Sequence, residues 1–186
     1  MTKTNESESI NHSFISFPKI PRVFKHTMII TEKIDGTNAQ VYIHEDGVTI
    51  QAGSRNRYIT PESDNYGFAK WVEANKEELL KLGPGRHFGE WWGSGIQRGY
   101  GLKEKRFSLF NTGRWSNPES RPSCCDCVPV LYQGEFDTQV IKYILEHLKE
   151  TGSIAAPGFM DVEGVVVLHL ASNQLYKYTV NDNHKG

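Results

Sequence analysis

In the stretch Thr31-Glu32-Lys33-Ile34-Asp35-Gly36-Thr37-Asn38, a lysine and a carboxylate stand with one residue between them, where an apolar run meets a glycine turn. That pattern reads as a covalent catalytic site, with the lysine amine as nucleophile. Bulk water keeps lysine protonated, with a pKa near roughly 10.4, so a nucleophilic lysine must be partly buried or set beside other cations. Other chemistry-bearing residues recur along the chain. Arg55 and Arg57 follow an apolar alternation, and Glu90 sits within Phe88-Gly89-Glu90-Trp91-Trp92, where an unpaired carboxylate would be costly to bury. The loop Gly93-Ser94-Gly95-Ile96-Gln97-Arg98-Gly99-Tyr100-Gly101 is glycine-rich but lacks the spacing of a dinucleotide fingerprint or a P-loop. Cys124, Cys125 and Cys127 form a cluster with no obvious second half for a zinc site; metal binding and a reduced loop after the turn at Arg121-Pro122-Ser123 are its two readings.

The elements that must carry these residues follow from periodicity. Met28-Ile29-Ile30 is strand-like, and Ala39-Gln40-Val41-Tyr42-Ile43 alternates at period two, so Lys33 falls at the join of two strands, with Gly36 freeing the backbone between them. Asp46-Gly47 predicts a hairpin, with Val48 to Ala52 as the return strand. Thr60-Pro61 predicts the start of a helical region in which Phe68, Trp71 and Val72 share a face, and Asn75-Lys76-Glu77-Glu78 resembles a capping box. Strands are expected over residues 86–92, 107–111 and 128–132, the last at an edge because of Pro129. Asp137 caps a helix with Val140, Ile141, Ile144, Leu145 and Leu148 on one apolar face, closed by Gly152. Glu163 to Leu168 and Leu175 to Tyr178 complete about eight short strands with two or three helices, an α+β pattern with largely antiparallel sheets.

The chain has 186 residues, enough for one domain with a real core. Lys and Arg total 21 against 22 Asp and Glu, a formal net charge of -1, which denies a global electrostatic grip on nucleic acid and requires any such partner to use a local patch. No apolar run approaches the roughly 20 residues that span a bilayer, and Met1 to Asn11 lacks the apolar core of a secretory signal, so a cytoplasmic protein with no membrane association is expected. Residues 1–27 are expected to be a loose tail and an extended arm carrying Phe14, Phe17, Pro18, Ile20 and Pro21.

Lys33-Ile34-Asp35-Gly36, Ser54-Arg55, Phe88-Gly89-Glu90, Phe107-Ser108-Leu109-Phe110, Glu163-Gly164-Val165-Val166 and Lys177 occur in the order of the covalent nucleotidyltransferase motifs. Over roughly residues 28 to 180 the chain resembles the ATP-dependent RNA ligase family. The resemblance implies an ATP-grasp-like nucleotidyltransferase core of mainly antiparallel sheets with inserted helices, occupying residues 28–186; many relatives carry a further C-terminal domain, and as Asn181 to Gly186 leave no room for one, no appended domain is expected here. It implies ATP and Mg²⁺ as cofactors and a three-step reaction: Lys33 attacks the α-phosphorus of ATP, AMP passes to a 5′-phosphate, and a 3′-hydroxyl displaces AMP. The partners implied are RNA ends, or DNA ends, with a separate protein as the supplier of a C-terminal domain. By the same resemblance Lys33, Asp35 and Lys177 are catalytic; Glu32, Arg55, Glu90, Phe110 and Glu163 bind the nucleotide; Glu163 also holds the metal; and Asn38 serves the strand-sealing steps.

Within that pattern Glu90 is assigned to a ribose hydroxyl and Phe110 to stacking on the base, with Phe107 the second choice. Asp35 orients Lys33 or a metal-bound water, or stabilises the turn; Asn38 is either functional or a turn cap. The family's last motif has two lysines flanking one residue, whereas Leu175-Tyr176-Lys177-Tyr178-Thr179 supplies Lys177 alone. Arg98, Lys103, Lys105 and Arg106, with Tyr100 and Trp115, read either as a strand-end contact or as a solvated charge run. A DNA ligase, a GTP-using capping-type transferase and a non-catalytic nucleotide- or RNA-end-binding module are the alternatives.

Overall fold

In a computed structural model, which describes residues 16–17 and 26–181, the chain forms two sheets that meet at the crossing from the first strand to the second. A four-stranded antiparallel sheet has the order β10-β9-β1-β8, built from β1 (Thr27–Lys33), β8 (Val130–Glu135), β9 (Gly164–His169) and β10 (Gln174–Thr179). A six-stranded sheet has the order β4-β3-β2-β5-β6-β7, from β2 (Thr37–Ile43), β3 (Ile50–Ser54), β4 (Tyr58–Ile59), β5 (Gly85–Gly93), β6 (Lys105–Leu109) and β7 (Asp126–Cys127). Within it the β6–β7 pair is parallel and the rest antiparallel, so the α+β, mainly antiparallel class expected from the sequence is the one observed.

Each sheet buries one face under helices. Val41, Ile43, Trp91, Phe107 and Leu109 on the larger sheet pack with Phe68 and Val72 of α1 (Phe68–Ala74), Leu79 of α2 (Lys76–Leu79) and Trp115 of α3 (Thr112–Trp115). Met28, Ile30, Val165 and Val167 on the smaller sheet pack against Ile141 and Leu148 of α4 (Thr138–Thr151). Asp137 caps α4 by accepting from the Gln139 N–H, and Gly152 ends it in a left-handed conformation. β8 lies at a sheet edge, where Pro129 costs no ladder bond. The unpacked faces of the two sheets bound a cavity of about 250 Å³.

Local departures have local causes. Helix α1 starts seven residues beyond Pro61, because Thr60 and Ser63 bridge in a turn and Asp64 accepts from the Ala69 and Lys70 N–H groups. Asn75 does not cap α2 with its side chain, which donates instead to the Trp71 carbonyl. Gly36 is needed for a close approach rather than for turning: a Cβ there would lie 2.5 Å from the Trp91 carbonyl oxygen. Of the expected tail and arm over residues 1–27, only residues 16–17 and 26–27 are described: Phe17 is exposed, Thr27 already belongs to β1, and the rest lie outside the described residues. Among the described residues no helix is long and apolar enough to cross a membrane.

Candidate active site

Strand alternation decides which residues of the lysine stretch face the cavity. Met28, Ile30 and Glu32 point into the helix-covered side, whereas Ile29, Thr31 and Lys33 line the cavity. The ladder registers set three cross-strand rows on this face: Ile29, Leu168 and Leu175; Thr31, Val166 and Lys177; Lys33, Gly164 and Thr179. Apolar residues thus occupy one end, with Phe110 and Val128 contributed from elsewhere, and polarity rises toward Lys33. Glu163, one residue before β9, meets Lys33 across that last row: Lys33 Nζ donates to Glu163 Oε1 at 2.5 Å, 130 residues away in sequence. The other oxygen, Glu163 Oε2, is buried and has no hydrogen-bond partner.

The opposite wall comes from β2 and β5. Glu90 and Asn38 are register partners; Asn38 Nδ2 donates to Glu90 Oε2 and the Gly36 N–H donates to Glu90 Oε1, both at 3.1 Å. Burial pushes the Glu90 carboxyl up to about 7, against the opposing pull of the Lys33 charge and of these two hydrogen bonds. Phe110 lines the cavity, while Phe107, on the other side of β6, is fully buried in the helix-covered core. Alternation along residues 107–110 therefore selects Phe110 for the site and gives Phe107 to packing.

Glu32 is among the residues that line the cavity, but its carboxylate lies on the opposite side of the strand from the Lys33 side chain. Its oxygens are taken by the Ser153 hydroxyl at 2.5 Å and by the Ile154 and Ala155 N–H groups at 2.9 and 3.0 Å, and the side chain is 2% exposed. Three of the four cations of the basic loop, Arg98, Lys105 and Arg106, have partners within the chain. Arg98 Nε donates to Asp35 Oδ2 at 2.9 Å, and its Nη1 donates to the Asp161 and Val162 carbonyls and to Asp161 Oδ1. Lys105 donates to the Tyr66 carbonyl, Arg106 pairs with Glu104, and Tyr100 and Trp115 are buried. Asp35 is thus held by Arg98, while its N–H donates to the Tyr100 hydroxyl at 2.7 Å. Among the described residues no hydrogen bond or ion pair joins it to Lys33.

Lys177 stands on the cavity side of β10, opposite Val166, with an exposed side chain. Arg55 follows Ser54, whose partner is Ala39; the register brings it level with Asn38, exposed and outside the cavity lining. Thr112 at the start of α3, Val128 before β8 and Leu175 on β10 also line the cavity, although nothing in the sequence singles them out for the site. Cys125 packs into the core and Cys124 and Cys127 lie partly buried against it. Among the described residues no three His, Cys, Asp or Glu side chains converge as a metal cage. Glu163 nevertheless suits a hard cation: its unpartnered oxygen is an anionic ligand of the kind Mg²⁺ takes singly, beside waters and phosphate oxygens.

Residues 26–179 match the family model for RNA ligase. A mutant of the Naegleria gruberi RNA ligase with ATP and Mn superposes with a TM-score of 0.66 at 22% identity, covering 84% of this chain and 50% of that one. Another mutant of the same ligase, with AMP and Mn, gives 0.63 at 21% identity, covering 88% and 57%. The chain spans about half the length of the solved structures it matches, and at this identity the likeness shows the fold. No curated protein matches significantly.

Proposed function

The chain belongs to the RNA ligase family, and on that premise we propose that it is an ATP-dependent RNA ligase-like nucleotidyltransferase with Lys33 as its nucleophile. Lys33 Nζ attacks the α-phosphorus of ATP; a phosphorus–nitrogen bond forms as the bond to pyrophosphate breaks, leaving AMP on the lysine. AMP then passes to the 5′-phosphate of an RNA end, and a 3′-hydroxyl displaces it to join the strands.

The observation that carries this reading is the Lys33–Glu163 pair at the polar end of a cavity that is apolar at its other end. The apolar end suits a purine, with Phe110 as the ring to stack on it, and Glu90 is the acceptor for a ribose hydroxyl. Glu163 Oε2 supports a role in holding Mg²⁺. Glu163 would hold such a cation beside Lys33, where it would supply positive charge for the phosphoryl oxygens. Lys177, one row from Lys33 on the cavity face, is the protein cation for the α-phosphate. Asn38 supports Glu90, so its effect on strand sealing would pass through that carboxylate.

The test is direct. With Mg²⁺ and α-labelled ATP, label should remain on the denatured protein and vanish in Lys33→Ala. Absence of label with ATP would overturn the reading, and label with GTP in its place would move the chain to capping-type chemistry. A chase with 5′-phosphorylated RNA or DNA then identifies the acceptor.

A further inference from the structure

The wall of the cavity formed by β2 and β5 does not stop at Asn38 and Glu90. Following the same face away from the site, the register pairs Gln40 with Phe88 and Tyr42 with Arg86, and Tyr58 of β4 lies beyond Gly53. The helix-covered core is on the other side of this sheet, so the extension is open to solvent. Phe88 is 51% exposed and Tyr58 44%, and the Phe88 carbonyl accepts from the N–H of Phe110, the ring that lines the cavity.

Sheet surfaces carry single exposed aromatics without consequence. Here the aromatics are held in place around a cation. Arg86 lies 4.3 Å from the centroid of the Tyr42 ring, and its Nη1 donates to the Tyr58 hydroxyl at 2.8 Å and to Gln40 Oε1 at 3.2 Å. Gly53 leaves room for the Gln40 side chain, since a Cβ there would lie 2.7 Å from it. From the cavity out to β4, the described residues of this face include arginine, amides and aromatics but no carboxylate beyond Glu90. From Asn38 to Tyr42 the strand advances about 13 Å, at roughly 3.3 Å per residue, the span of about two extended nucleotides.

We propose that this face is a platform for single-stranded RNA, on which the nucleotides next to the reacting end stack over Phe88 and Tyr58 while Arg86 meets a phosphate. Flat rings, a fixed cation and no opposing carboxylate are what sequence-independent binding of single strands uses. Continuity with the nucleotide cavity through Phe110 sets the occupant: a polynucleotide whose end enters the site has this surface directly beside it. The proposal rests on the RNA ligase reading for its substrate.

Its test separates the two. Anisotropy of a fluorescent oligoadenylate of about twelve nucleotides, without ATP, reads the platform; labelling of Lys33 by ATP reads the site. Phe88→Ala and Tyr58→Ala should each weaken oligonucleotide binding about tenfold, as loss of one stacking contact does, with Lys33 labelling unchanged within about twofold. Phe88→Tyr should retain binding, and Arg86→Gln should reduce the dependence of log affinity on log salt by about 0.7, one single-strand phosphate contact. An affinity unchanged within twofold in the Phe88→Ala/Tyr58→Ala double variant would overturn the platform, the result also expected if the face serves a polypeptide. Loss of wild-type Lys33 labelling, with the oligonucleotide still bound through Phe88, would overturn the ligase reading and leave the platform standing.

Discussion

An ammonium held 2.5 Å from a carboxylate is a poor nucleophile, so the resting Lys33–Glu163 pair has to be broken before any attack. Glu163→Gln removes the anion that a cation would bind while keeping the shape. We expect Lys33 labelling to fall about 100-fold or more, in the range of losing one electrostatic contact to a transition state, with the unfolding midpoint little changed; single-turnover labelling at saturating ATP checks it. Glu90 leaves a pH signature. Its carboxyl rises from 4.5 to about 7 because it is buried, so the folded state binds its proton more tightly than the unfolded chain does. That contribution to stability is fully present below about pH 4.5 and is lost as pH rises through about 7, up to about 3 kcal/mol in all. Glu90→Gln should therefore flatten this part of the profile. Urea unfolding at about pH 5 and pH 8 should show the variant losing about 2 kcal/mol less than wild type between the two; parallel profiles would mean Glu90 ionises normally.

At the scale of the element, β1 does two jobs through its two faces. The Lys33 side faces the cavity and the Glu32 side anchors the loop after α4, where one carboxylate satisfies a hydroxyl and two backbone N–H groups. Glu32→Ala leaves those donors unsatisfied in a buried site and should cost about 3 kcal/mol, given roughly 1–3 kcal/mol for each group stranded. Glu32→Gln should cost less. Chemical denaturation gives the first number, and accelerated amide exchange at Ile154 and Ala155 localises it. A change confined to ATP affinity would instead place the Glu32 carboxylate on the nucleotide. Gly36, between β1 and β2, tolerates no side chain because β5 passes against it.

Across the whole molecule, the site exists because two sheets are held in one relation at their junction. Arg98 fastens this junction: it ties Asp35, on the crossing from β1 to β2, to Asp161 and Val162, just before Glu163. Lys33 and Glu163 are each two residues or fewer from a group that Arg98 holds. Arg98→Met should lower Lys33 labelling more than it lowers oligonucleotide binding. A double-mutant cycle with Asp35→Asn should return a coupling of about 1 kcal/mol in stability, the range for a partly exposed charge pair. Additive effects would mean that the two side chains act independently.

The sequence by itself determined the α+β class, the edge position of β8, both ends of α4 and the lysine turn, since period-two and helical spacing and capping residues act within a few positions of the chain. It also contained the orientation of Glu32: alternation from Met28 through Ile30 puts that carboxylate on the buried side of β1. Tertiary structure alone decided the partners. That Lys33 meets Glu163, that Asp35 is held by Arg98 rather than aimed at the lysine, and that Lys177 shares a face with Val166 are consequences of strand register and loop path. A local pattern fixes which way a side chain points. What it meets depends on elements as far as 130 residues away, brought alongside by ladders whose register no short stretch encodes.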